Sequence, residues 1–397
     1  MKRLWFVILF SFMTVLLVNA QKKELSQAQT DLKKGKNQVQ VEQTMMRLLK
    51  DSANKENKRI YLTLFEAIRQ QYDQGNMKLY LKQKYDTAAF FTSAKKMFTV
   101  LETLDSIETI PDKKGRVNIE YRNRHAVFLN QYRPNIFNGG VYYANKQKYA
   151  QAYEYFDMYI DCARQPLFAK FNYDSIDTRL PLAAYWTVLC GYKSNDVKRT
   201  LKYAGLALSD TVHQSYTFQY LADTYKQTGD MNSYVWALKD GFEHDCEFPF
   251  FYPRLLDYYS NKGELDSAMY VVNRLLERND TSDIYLFAKS TVLLNMGKYA
   301  ECIDVCKSLL ARKDSMPEVL LNMGLSYVNL AVETDRVSKS RTKRAQIKAF
   351  YKDALPYMER YRKMVPGAKD KWAPILYNIY LNLNMGKQFD EMDRLLH

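Results

Sequence analysis

Apolar and polar positions along the chain fall into a pattern that repeats every 34 residues. Gly229, Gly263 and Gly297 mark it, each followed by a polar residue and then a helical spacing, as in Gly229-Asp230-Met231 and Gly297-Lys298-Tyr299. One period earlier stands Asn195, and Asn and Gly are the residues that most readily close a helix in the left-handed conformation. Seven positions before these turns the series reads Val188, Ala222, Leu256, Ser290 and Gly324; four before them it includes Tyr225, Tyr259, Leu293 and Tyr327. Five after them come Thr200, Tyr234, Ala268 and Cys302, and nine after them Ala204, Leu238, Val272 and Cys306. The pattern predicts pairs of antiparallel helices joined at the turn, with small residues where the two helices touch. One such pair cannot bury its apolar faces alone, whereas a stack of pairs shares a continuous core.

This spacing resembles the tetratricopeptide repeat (TPR), whose 34-residue unit has a small residue where helix A meets helix B, a Tyr three later, a Gly turn, and then Ala. Gly140, Tyr143, Tyr149, Ala152 and Phe156 keep the same spacing in the N-terminal half, and Tyr85 with Ala88 suggests another helix B. Ala354 and Pro366 match the helix B and repeat-end positions, and Asn384-Met385-Gly386-Lys387 echoes Asn295-Met296-Gly297-Lys298. The resemblance implies an all-α fold, a superhelical solenoid of stacked antiparallel helix pairs. The expected order is irregular helical pairs over 21–110, a degenerate repeat over 111–180, regular repeats over 181–332, an extended basic hairpin over 333–366 and capping helices over 367–397. The many Tyr residues are expected to pack between repeats rather than to line a groove.

One interval breaks the register. Gly324 and Tyr327 keep the phase, yet the helix B residue Ala354 arrives 18 residues late. The insert, about Glu333 to Ala349, reads as helix and holds Arg336, Lys339, Arg341, Lys343, Arg344 and Lys348. It predicts a hairpin whose helices run two to three turns longer, with a basic tip that is either a solvated loop or a docking site for an anionic partner.

Residues 1–20 read as a secretory signal: Lys2 and Arg3, an apolar stretch from Leu4 to Val18, then Val18-Asn19-Ala20 with small residues where a peptidase cuts. An apolar stretch of fifteen residues is short for a membrane span, and no second long apolar segment follows, so no transmembrane span is expected after cleavage. The predicted address is the periplasm, otherwise the cell surface or the medium. Across 397 residues, 58 Lys and Arg against 44 Asp and Glu give a net charge of +14, which removal of the signal lowers by two. That excess is spread among nearly as many acids, which argues against nucleic acid as a partner. Few Gly and Pro disfavour an all-β chain, and five Cys are too few for a disulfide scaffold.

Catalytic signatures are missing: no Gly-rich phosphate loop, no His-Glu-x-x-His and no Gly-x-Ser-x-Gly. His125, His213, His244 and His397 are far apart in sequence, and Cys162, Cys190 and Cys246 lack metal spacing. Cys302 and Cys306 fall on two helix B packing positions and read as buried small residues, not as a disulfide or half a metal site. No enzyme activity, metal or cofactor is expected. The clamp by which some TPR proteins hold a carboxylate is also missing, since Gln219 and Asp223, Pro253 and Asp257, and Phe287 and Thr291 stand at its positions. An amide does recur two residues before the turn, at Asn145, Gln227, Asn261, Asn295, Asn329 and Asn384. It either hydrogen-bonds an extended backbone in the concave groove or caps and links repeats.

The blocks Tyr132-Arg133-Pro134-Asn135-Ile136-Phe137-Asn138-Gly139-Gly140 and Asp161-Cys162-Ala163-Arg164-Gln165-Pro166 resemble exported TPR proteins of Bacteroidota without an assigned activity. Asn138-Gly139-Gly140 reads as a close helix approach or a ligand contact. Asp-Ser/Thr followed by Ala, Ile, Val or Met occurs at Ser52, Thr87, Ser106, Ser175, Thr211, Ser267 and Ser315, where composition alone gives about one such triplet. It resembles the O-glycosylation sequon of that group, and helix capping by the Asp is the competing explanation. These features point to a non-catalytic protein–protein interaction scaffold that binds a protein or peptide through the concave face or the basic insert. A carbohydrate- or peptide-binding accessory of a nutrient-uptake system is the first alternative, and an enzyme hidden in the irregular N-terminal third the second.

Overall fold

A computed structural model describes residues 21–337 and 341–397, apart from the side chains at 337 and 341; among them every regular element is helical. The signal read over residues 1–20 lies outside the described residues. The chain divides into two compact units, one ending at Thr224 and one beginning at Tyr225.

The first unit stacks antiparallel pairs: α1 (residues 21–33) with α2 (Gln38–Leu48), α3 (Lys58–Tyr80) with α4 (Thr87–Glu108), and α5 (Arg122–Asn145) with α6 (Tyr149–Asp161). A 3-10 turn (Pro166–Phe171) and the short α7 (Tyr173–Ile176) lead into α8 (Leu180–Lys193), whose partner is broken into α9 (Val197–Leu201) and α10 (Ala204–Ala207). The unit boundary falls within α11 (Gln214–Thr228). The second unit continues with α12 (Met231–His244), then α13 (Phe251–Lys262) with α14 (Leu265–Arg278) and α15 (Asp283–Asn295) with α16 (Tyr299–Arg312). It ends with α17 (Pro317–Val337) against α18 (Arg341–Met364) and α19 (Lys369–Leu383) against α20 (Gly386–Leu396). Each unit buries its own aromatics, Tyr72, Phe98 and Phe156 in the first, Phe242, Phe251, Tyr361 and Tyr380 in the second.

The turn chemistry follows the repeat. Asn195, Gly229, Gly263 and Gly297 all take positive φ, as does Gln147 at the equivalent place in α5–α6. In two of the repeats the residue after the turn caps the next helix: Asp196 accepts from the Arg199 amide and Asp230 from the Ser233 amide, whereas Glu264 and Lys298 make no capping hydrogen bond. The C-terminal echo is offset by two residues from its expected register. Asn384, not Gly386, takes the left-handed conformation (φ 55°), and Gly386 begins α20. Asn384 is therefore itself the turn residue and leaves the amide series.

Small residues do mark the contact between paired helices. A Cβ on Gly140 would meet the Phe156 ring at 2.7 Å and one on Gly139 the Tyr155 ring at 2.6 Å, so this Gly pair serves close helix approach. The register break behaves the same way. In α15–α16, Ser290 packs on Cys302, whose Sγ donates to the Ser290 carbonyl at 3.2 Å. In α17–α18, Gly324 faces Met358, whose Sδ would lie 2.4 Å from an added Cβ, and Ala354 is fully buried. The same contact is made with a longer excursion between its partners: α17 and α18 have 21 and 24 residues, against 13 and 14 in α15 and α16.

Candidate interaction surfaces

Where α17 and α18 run beyond the length of the preceding pair, their described residues are mostly polar. Arg336, Arg344 and Lys348 are exposed and make no ion pair among the described residues; Lys343 is half-buried and does have a partner. Glu333 and Asp335 are exposed beside them. Lys339 and the side chain of Arg341 lie outside the described residues. No large apolar side chain of residues 331–336 and 342–349 is exposed to solvent. The described residues of this extension are therefore polar and carry more basic than acidic side chains, suited to a carboxylate-bearing surface and unsuited to an apolar one.

Asn145, Gln227, Asn261 and Asn295 sit near the C-terminal ends of A helices, whereas Asn329 lies inside the lengthened α17, eight residues before its end. Asn145, in the first unit, is exposed; in the second, Gln227, Asn261 and Asn295 are exposed and Asn329 is half-buried. Asn145, Asn261 and Asn295 make no side-chain hydrogen bond among the described residues, so capping and repeat-to-repeat bonding do not account for them. One residue that does link repeats is one the spacing did not single out. Buried Asn322 donates from Nδ2 to Ser290 Oγ and Thr291 Oγ1, both at 3.0 Å, tying α17 to α15. At the other clamp positions, Asp223 accepts from the Tyr192 hydroxyl at 3.0 Å.

The first unit contains a buried polar network that sequence spacing also missed. The Arg133 guanidinium lies between the rings of Tyr159 and Tyr173, 3.8 and 3.9 Å from their centroids. It pairs with Asp177 and donates to the Tyr159 carbonyl at 3.0 Å, while the Tyr159 hydroxyl donates to Asp177 at 2.8 Å. Burial pushes the Asp177 carboxyl up, but the Arg133 and Tyr159 hydrogen bonds outweigh it and hold it below the usual range. This network fastens the 166–179 segment to α5 and α6. Nearby, burial and then Asp161 push Glu102 up to about 7.

Chemistry finds little purchase elsewhere. All five cysteines are buried and unbridged; the Cys302 and Cys306 sulfurs stand 3.9 Å apart, and the hydrogen bond that the Cys306 thiol donates to Cys302, together with burial, keeps Cys306 a thiol. No group of three or more His, Cys, Asp and Glu is placed to hold a metal among the described residues. His125 is buried against Tyr121 and Phe65, pushed down to about 4 by burial and then by Arg124. The sequon-like positions separate by setting. Ser52, Ser106, Ser175, Thr211 and Ser315 are exposed, and Thr87 and Ser267 half-buried. Asp51, Asp86 and Asp210 accept amide hydrogen bonds from residues two further on, so capping accounts for the Asp of three triplets.

No family model and no curated protein matches the chain. Solved structures do. A structure of MamA from AMB-1 is 15% identical, with TM-score 0.33, covering 47% of this chain and 93% of that one. The C-terminal part of a TPR repeat-containing protein from Cytophaga hutchinsonii is 14% identical, with TM-score 0.37, covering 64% and 98%. The P58(IPK) TPR domain is 10% identical, with TM-score 0.26, covering 94% and 99%. By its own 34-residue spacing, left-handed turn residues and small-residue helix contacts, the chain is built of tetratricopeptide-type helix pairs.

Proposed function

We propose that the protein is a non-catalytic scaffold that binds an acidic segment of a protein partner on the α17–α18 hairpin. The observation that carries this reading is the lengthened hairpin itself. Gly324, Ala354 and Met358 rebuild the contact of the preceding pair, so the extra turns add only Ile347 and Phe350 to the edge of the core, yet they carry Arg336, Arg344 and Lys348, exposed and without an ion pair among the described residues. The amides Asn261, Asn295 and Asn329 offer the partner's backbone a second line of contact. Residues 1–20 support an extracytoplasmic site of action, and the exposed Ser52, Ser106, Ser175, Thr211 and Ser315 are the positions where a glycan would go.

The test is affinity capture from the envelope fraction of the native host, with mass spectrometry, against a bait carrying Lys339, Arg341, Lys343 and Arg344 changed to Ser. A partner held by the first bait and lost from the second is the expected result. A folded protein that captures nothing, or a partner indifferent to the four changes, contradicts the reading.

A further inference from the structure

In the first unit, the turns inside helix pairs lie on one edge of the stack and the loops between pairs on the other, because successive helices alternate in direction. The two edges differ sharply in charge. The within-pair turns, residues 33–37, 77–86, 145–149 and 193–196, hold nine lysines and two aspartates. The between-pair loops, residues 49–57, 109–121, 162–179 and 208–213, hold eight basic and seven acidic residues. All nine lysines are exposed, and none makes an ion pair among the described residues. Both aspartates are occupied as caps, Asp86 accepting from the Ala88 amide and Asp196 from the Arg199 amide.

One turn stands above the α1–α2 turn. Gln70 of α3 donates to the Leu32 carbonyl near the α1–α2 turn, and α3 runs ten residues further, to Tyr80. That is about 15 Å of additional helix. The α5–α6 turn reaches a similar level, since Tyr142, three residues before the end of α5, meets Phe91 near the start of α4, ring centroids 5.4 Å apart. At the α3–α4 turn, Tyr85 folds back over Gly75, where an added Cβ would meet its ring at 2.5 Å. Met77, Tyr80 and Leu81 cover nothing: they are 59, 83 and 54% exposed. Lys78, Lys82 and Lys84 surround them in sequence, and Lys146, Lys148 and Lys193 come from the next two turns.

We propose that this turn edge docks the protein on an anionic lipid surface, with Tyr80, Leu81 and Met77 entering the interfacial layer and the lysines facing headgroup phosphates. Two features select lipid over an acidic protein or a nucleic acid. The cations in these turns are all lysine, and a discrete carboxylate or phosphate site favours the planar fork of arginine, whereas a diffuse negative field does not discriminate. Exposed aromatic and aliphatic side chains ringed by lysine stems suit the headgroup boundary, where both halves of the pattern are satisfied.

The experiment is co-sedimentation of the full chain with vesicles of phosphatidylcholine, alone or mixed about two to one with phosphatidylglycerol. Any uptake through the apolar stretch 4–18 is common to all variants and insensitive to salt. The expected result is an added, salt-sensitive binding to the anionic vesicles. The triple variant Lys78→Gln, Lys82→Gln, Lys84→Gln should weaken it by at least about tenfold. Tyr80→Ser with Leu81→Ser should weaken it by a comparable factor. Lys113→Gln with Lys114→Gln, on the opposite edge, should leave it unchanged. All these side chains are exposed, so circular dichroism should show folded variants. Deuterium exchange should show the amides of 77–86 and 145–149 protected only with anionic vesicles. The proposal is overturned by equal binding to both vesicle types. It is also overturned by losses no larger at the turns than at the opposite edge, or by protection elsewhere in the chain. Binding to polyglutamate that depends on the turn lysines, without vesicle binding, would reassign the edge to an acidic protein.

Discussion

The pairs α15–α16 and α17–α18 share one contact and differ in what lies beyond it. Ser290 against Cys302 and Cys306 in the first becomes Gly324 against Ala354 and Met358 in the second, with every one of these residues at the helix interface. Beyond that base α15–α16 closes at once through Gly297, whereas α17–α18 continues before its chain returns. The lesson is that a repeat tolerates a long insertion when it enters both helices in compensating lengths and leaves the small-residue contact at the base in place. What such an extension carries on its surface is free of packing demands. That freedom is why the exposed Arg336, Arg344 and Lys348 are proposed to serve a partner.

The comparison makes graded predictions. Met358→Ala, at the base, should cost about 2–5 kcal/mol in denaturant unfolding, whereas Ile347→Ala, half-buried on the extension, should cost under about 1 kcal/mol. Equal costs would mean that the extension is part of the core.

Glycines sharpen the point. A methyl at Gly191 would lie 2.4 Å from the Thr200 backbone nitrogen, which cannot move without shifting α9, so Gly191→Ala should cost about 2–3 kcal/mol. At Gly324 the obstacle is the flexible end of Met358, and Gly324→Ala should cost about 1 kcal/mol or less.

Titration separates the α15–α18 pairs from α4 and α5. No carboxylate or histidine is buried in α15–α18 among the described residues. Glu102 of α4, raised to about 7, contributes fully below its ordinary value of 4.5 and loses that contribution as pH rises through about 7. His125 of α5, lowered to about 4, contributes fully above its ordinary 6.5 and loses it as pH falls through about 4. Glu102→Gln should therefore gain about 1–3 kcal/mol over the native chain at pH 8 and nothing at pH 4, read from urea midpoints. The smallest effect belongs to the hairpin end, where Arg344→Ser should change stability by less than about 0.5 kcal/mol.

Much of this architecture was legible because it depends on short-range chemistry. A left-handed helix end requires little more than the right residue, so Asn195, Gly229, Gly263 and Gly297 could be placed from spacing alone. The break at Gly324 was legible because both flanks kept phase, and the helix lengths then followed from counting turns. Asn384 was misplaced because Asn and Gly both accept the left-handed turn, and the tetrapeptide 384–387 offers one of each. The breaks within 197–207, the Arg133 network and the Asn322 link depend on which distant segments meet, which no periodicity encodes. The surfaces were less legible than the fold, since charge in sequence does not say whether a lysine finds a partner. The runs at 33–36 and 78–84 carried that signal only once their turns lay on one edge.

If the α17–α18 extension serves a partner and not the stack, the chain should fold without it. Deleting residues 333–350 joins Ala331-Val332 to Tyr351-Lys352-Asp353-Ala354, which reproduces the spacing of Gly297-Lys298-Tyr299-Ala300-Glu301-Cys302. The substitution Ala331→Gly then supplies a left-handed turn residue at the place that Gly297 holds in the preceding pair. Paired affinity capture and thermal unfolding of the native and shortened chains is the direct measurement. The account predicts a shortened protein that melts within a few degrees of the native one, by about 1–2 kcal/mol at most, and no longer retains the partner. A shortened chain that still holds the partner, or one that fails to fold, would contradict it.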